Sequence, residues 1–143
     1  MKQLLNEKFV RRAIIRFLER KGWARNLREK ERTEQGVDIR VRHNKYSRYF
    51  LIETKGESVA KSALSQRETS FVYSLGQIIT RMKSAGARYY YGLGLPDSSA
   101  KIALRRIPWQ MAKKLLLYVF SVSSDGKVKQ YSWPDLKKHQ RTN

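Results

Sequence analysis

Near the start of the chain, Phe9, Val10, Ala13, Ile14, Phe17 and Leu18 return at helical spacing, with Lys8, Arg12, Arg16, Glu19 and Arg20 falling opposite them. This pattern predicts an amphipathic helix over Lys2 to Lys21, stopped by Gly22. After a polar stretch rich in Arg and Glu the period changes to two. From Gly36 to Arg42, Val37, Ile39 and Val41 alternate with Asp38, Arg40 and Arg42, which predicts a half-buried strand. The turn-like segment His43 to Ser47 joins it to the more apolar run Tyr49 to Thr54, so the two form a hairpin. Helical spacing resumes from Ser65 to Ser84, where Phe71, Leu75, Ile78 and Met82 mark a buried face and Gly86 ends the element.

The run Ala87 to Leu95 predicts a central strand closed by Pro96, and Asp97, Ser98 or Ser99 can cap a short helix through Arg106. Trp109 to Lys114 predicts a helical turn, followed by the strand Leu115 to Val122. Asp125 and Gly126 then turn the chain back through Lys127 to Trp133, and after Pro134 a basic end is expected to fray. This order predicts α/β architecture, a mixed central sheet flanked by helices. With 143 residues and 41% hydrophobic content, one domain over residues 1–136 is expected, with residues 137–143 as a basic polar tail.

Charge changes the picture from fold to partner. Against 31 Lys plus Arg stand 12 Asp plus Glu, a formal net charge of +19. Repulsion on that scale is relieved by phosphate backbones, so nucleic acid is the expected partner, DNA before RNA. No long apolar run and no signal-like segment points to a membrane. The absence of cysteine excludes disulfides, thiolate metal sites and cysteine nucleophiles, and suits a cytoplasmic setting. Of the two histidines, His43 and His139, the second falls in the polar end and is expected to be solvated. Any metal would rest on carboxylate oxygens, which points to Mg2+, with Mn2+ as a substitute.

The candidate chemistry lies on the hairpin. Asp38 is on the polar side of the first strand, and Glu53 and Lys55, two apart, share a face at the end of the second. If the strands are neighbours, two carboxylates and an ammonium converge at one end of the sheet. Val37-Asp38, fourteen intervening residues, and Glu53-Thr54-Lys55 after the apolar Phe50-Leu51-Ile52 resemble the PD-(D/E)xK, restriction-endonuclease-like superfamily. Val37 stands where that name has proline. The segment Ser74 to Ile79 is also similar to the Gly-Gln helix of several of its branches, and Tyr73, Gln77, Arg81 and Ser84 recur on one helical stripe.

The resemblance implies a restriction-endonuclease-like sheet and a magnesium-dependent DNA endonuclease. Asp38, Glu53 and the backbone carbonyl of Thr54 would hold the metal, Lys55 would orient or polarise the attacking water, and Gln77 would line the site. A glutamate from the first helix often joins such sites. Glu7 falls at the edge of the buried face and is preferred to Glu19, although an early acid also suits the helix dipole. Glu57 and Glu68 are expected in solvated loop or cap positions. Arg12, Arg16, Arg20 and Arg81 are expected to contact nucleic acid, with Arg11 and Lys21 nearby on the polar side of the helix. Arg88 to Tyr91 reads as strand core, with base stacking as the rival reading. A homodimer or a larger DNA-processing complex would supply the surface that a lone subunit lacks. Two other readings share the charge pattern: a nuclease fold that binds without cutting, and a basic RNA-binding protein in which the motif is accidental.

Overall fold

A computed structural model describes residues 5–23, 38–57, 63–82 and 88–141. The elements are α1 (Glu7–Arg20), β1 (Ile39–Arg42), β2 (Tyr49–Thr54), α2 (Ala63–Thr80), β3 (Tyr89–Pro96), α3 (Asp97–Arg106), α4 (Trp109–Leu115), β4 (Leu117–Val122), β5 (Val128–Tyr131) and α5 (Trp133–Arg141). The strands form one sheet in sequence order, antiparallel between β1 and β2, parallel from β2 through β4, and antiparallel again between β4 and β5. This is the mixed α/β sheet with flanking helices that the patterning predicts. Gly36, Val37, Ser84, Gly86 and Ala87, which the patterning also assigns, lie outside the described residues.

Alternation along the strands sorts the core into two layers. Ile39, Val41, Phe50, Ile52, Phe120 and Val122 face α1, while Leu51, Tyr91, Leu93, Leu95, Leu117 and Val119 face the layer of α2, α3, α4 and α5. β3 is apolar on both sides, as expected for a central parallel strand. Its glycines let α1 lie close, since a Cβ at Gly94 would sit 2.3 Å from Ile14 Cδ1. Tyr91 is buried core, whereas Tyr89 and Tyr90 are half-buried.

Local chemistry moved several boundaries. α1 starts at Glu7, not Lys2, because the Asn6 side chain accepts from the Phe9 N–H at 2.8 Å and so caps the helix there. α3 has no side-chain cap: Asp97 is already its first helical residue, and its carboxylate accepts from Ser121 Oγ at 3.2 Å.

The largest correction is at the C-terminal end, where the expected fray is helix α5. Leu136 is fully buried, and Gln140 Nε2 donates to the carbonyls of Leu104 (3.0 Å) and Ile107 (2.6 Å) while its Oε1 accepts from the Trp109 N–H at 3.2 Å. Leu136, Gln140 and Trp133, whose ring stacks on Trp109 at 5.7 Å, thus dock a basic helix whose other side is wet, with His139 on that exposed side. Leu136→Ala is expected to cost about 2–5 kcal/mol, the range for emptying a buried leucine site. Urea unfolding followed by circular dichroism checks it, and a value near zero would mean that α5 frays as the composition suggests.

Candidate active site

The β1–β2 register decides where the candidate acids meet. Ile39 stands opposite Ile52, so the next step of the antiparallel pair sets Asp38 opposite Glu53 on the face that looks toward α2. Directly opposed residues on one face bring their side chains into contact range. Asp38 lies in the bend just before β1, where its Oδ2 accepts from the Thr54 N–H at 2.8 Å and from Thr54 Oγ1 at 3.2 Å. Because a residue's N–H and C=O leave a strand on the same edge, the Thr54 carbonyl also emerges on the β1 side. The Lys55 N–H turns the other way and donates to the Gly94 carbonyl at 3.0 Å, which extends the pairing of β2 with β3 past Thr54.

Glu53 is 2% exposed, an unusual place for a carboxylate. Burial comes first in pushing its pKa up to about 8, and the Asp38 charge and a hydrogen bond with Asp38 push the same way, against Arg81 and Lys55. Arg81 Nε stands 3.7 Å from Glu53 Oε1, close enough for an ion pair but too long for a hydrogen bond. Among the described residues Glu53 Oε1 consequently has no hydrogen-bond donor, and neither has the buried Oε1 of Gln77, one turn before Arg81. Buried acceptors without donors are costly, and a cation is one way of satisfying them.

Lys55 Nζ lies over the ring of Tyr73 at 4.3 Å, and its charge acts on both Glu53 and Glu7. Tyr73 is 55% exposed, so the ammonium marks the open rim of the site. Tyr73, Gln77 and Arg81 therefore present one stripe of α2 to the end of β2. Arg81, expected on nucleic acid, is 41% exposed and has Glu53 as its ion-pair partner.

Glu7 reaches this end of the sheet from the opposite layer. Burial first, then the Asp38 charge, raise its pKa, and Lys55 and Arg11 oppose the rise. Its position follows from the segment after β2. The Glu57 N–H donates to the Leu5 carbonyl at 2.6 Å, Glu57 Oε1 accepts from the Leu5 N–H at 2.9 Å, and Gly56 lies against the backbone of residues 5–7. Glu57, expected in a solvated position, is thus a tie between the two chain segments. Glu68 remains exposed, 4.0 Å from Arg106. Arg11 also departs from expectation: only 16% exposed, it pairs with Glu7 at 3.9 Å. Arg12, Arg16 and Arg20 are exposed along α1.

Among the described residues, no group of three or more His, Cys, Asp and Glu side chains is placed to hold a metal ion. The donor set for one would be the two opposed carboxylates and a main-chain carbonyl, all hard oxygens. That set fits Mg2+, which is commonly held by one or two carboxylates and keeps several waters. Among the described residues, no helix is long and apolar enough to cross a membrane. Comparison with family models, curated proteins and solved structures finds no match to this chain.

Proposed function

We propose that this chain is a magnesium-dependent endonuclease that hydrolyses DNA phosphodiester bonds at a PD-(D/E)xK-type site on a restriction-endonuclease-like core. The observation that carries the reading is the opposition of Asp38 to a buried Glu53 whose Oε1 has no donor. Asp38, Glu53 and the Thr54 carbonyl would hold the ion, and Gln77 Oε1 lies on the helix face that closes the site. Bound there, magnesium supplies Lewis-acid polarisation of the scissile phosphate and lowers the pKa of the attacking water.

The chain's own residues do the rest. Thr54 fixes the Asp38 carboxylate through two hydrogen bonds, and a ligand held this way needs little reorganisation on binding. Arg81 balances the buried Glu53 charge. Lys55, on a strand end pinned to Gly94, brings a cation to the rim where a phosphate and its attacking water would meet. Glu7 adds a further carboxyl beside the pair, its pKa raised first by burial and then by the Asp38 charge.

Incubation with plasmid, branched and single-stranded DNA, with and without Mg2+ or Mn2+, tests the reading. Lys55→Ala is expected to lower the cleavage rate by about 10²–10⁴-fold, the scale of a lost proton-transfer group. Unchanged cleavage would remove Lys55 from the mechanism. A fold that binds nucleic acid without cutting is the second reading, favoured by the resting of Lys55 on the Tyr73 ring. It predicts DNA binding with no cleavage under either metal.

A further inference from the structure

Along one flank of α1, the helix and the β4–β5 turn line a cleft of about 500 Å³. Lys8, Arg12, Arg16 and Arg20 form one wall, Phe9 and Ala13 lie between them, and Asp125 and Gly126 close the far side. The four cations follow one another at four-residue steps, about 6 Å apart along the axis and about 18 Å from first to last. Like charges at that spacing repel and weaken an isolated helix. Arg20 is at least well placed for the helix dipole, but Lys8 is at the unfavourable end. Among the described residues that line it, Asp125 is the one acid, and its carboxylate is engaged by Ser123 Oγ, by the Lys127 N–H at 3.2 Å and by Lys127 Nζ at 3.9 Å. Four cations against one acid make the described lining of the cleft net positive.

Phe9 adds what a counterion layer alone would not require. It is 37% exposed, and its Cζ would lie 3.7 Å from a Cβ placed on Gly126, so the ring stands in the mouth of the cleft beside the turn. A row of cations beside an exposed ring is the combination that follows a single strand, phosphates on the cations and a base on the ring. A paired base has no free face for such a ring, so the cleft suits an unpaired segment.

We propose that the cleft between α1 and the β4–β5 turn binds a single-stranded stretch of nucleic acid, with its phosphates along Lys8, Arg12, Arg16 and Arg20 and one base on Phe9. The proposal rests on the nucleic-acid part of the function above and not on cleavage. Its first residue, Lys8, follows Glu7, so the strand would pass the helix terminus that carries the candidate acid. The substrate class implied is a duplex with an unpaired arm or gap.

Fluorescence anisotropy with a single-stranded oligonucleotide and with a blunt duplex, in EDTA and over a salt series, tests this apart from the nuclease activity. Phe9→Ala is expected to weaken single-strand binding by about 5- to 150-fold and to leave the duplex within about twofold, with Phe9→Tyr restoring binding. Arg12→Gln with Arg16→Gln is expected to lower the slope of log affinity against log salt by about 1.4, at 0.7 per lost phosphate contact. Melting curves confirm that each variant is folded. Equal losses on both substrates for Phe9→Ala, or an unchanged salt slope for the arginine pair, would overturn the proposal. A parent protein that shows these shifts yet never cuts DNA would retain this site and lose the endonuclease reading.

Discussion

Glu53→Gln is expected to lower the proposed magnesium-dependent cleavage by at least about 10²-fold, while leaving a protein that is as stable as the parent or more so in metal-free buffer above pH 8. Both halves follow from one position. The side chain is buried, and its pKa of about 8 means that the folded state holds the proton far more tightly than an ordinary carboxyl of 4.5. For an acid raised on folding, the stabilising contribution is fully present below 4.5 and is lost as pH rises through about 8. The metal-free parent should therefore lose stability over that window, and Glu53→Gln, with no proton to release, should not. Subtracting one melting profile from the other removes the groups that the two share. If the ionised carboxylates hold magnesium as proposed, the ion should stabilise the parent increasingly as pH rises and do little for the variant. Parent and variant curves that run parallel from pH 4.5 to 9 would show that Glu53 does not sit in the environment described.

Among the described glycines, Gly56→Ala should be the most damaging substitution. A Cβ there would lie 2.2 Å from the Glu7 backbone nitrogen, 2.4 Å from the Asn6 carbonyl carbon and 2.7 Å from the Leu5 carbonyl oxygen. All three are backbone atoms, so no rotamer change relieves the contact. Overpacking of this kind costs about 1–3 kcal/mol and at times more. The strand end and the start of α1 must part, and with them Lys55 and Glu7. The expected result is a lower melting temperature together with lost cleavage, whereas Gly76→Ala, where an added Cβ meets nothing within 4 Å, should not lower stability. If Gly56→Ala melts like the parent, the packing of residues 5–7 on this turn is wrong.

The difference between those two glycines shows what the sequence could and could not disclose. Asp38 and Glu53 were legible because strand alternation has a period of two, and a register fixed by buried Ile39 and Ile52 carries the polar residues along with it. The Tyr73, Gln77 and Arg81 stripe was legible for the equivalent helical reason. The role of Gly56 was not, since its contacts are with residues about fifty positions away and leave no local pattern. Glu57 looked like any loop acid for the same reason. The charge and helical position of Arg81 suggest a DNA contact, but its ion pair with the buried Glu53 leaves no mark in the local pattern. α5 is not legible in composition, which averages over its residues, while its docking depends on Trp133, Leu136 and Gln140.

The central claim is that Asp38 and Glu53 act together through a divalent ion to cut DNA. Scission of supercoiled and branched DNA by the parent and by Glu53→Gln, in Mg2+ and in EDTA, tests it most directly. The account predicts nicked or linear product from the parent in Mg2+ alone. Cleavage that persists in EDTA, or that Glu53→Gln carries out at the parental rate, would contradict it.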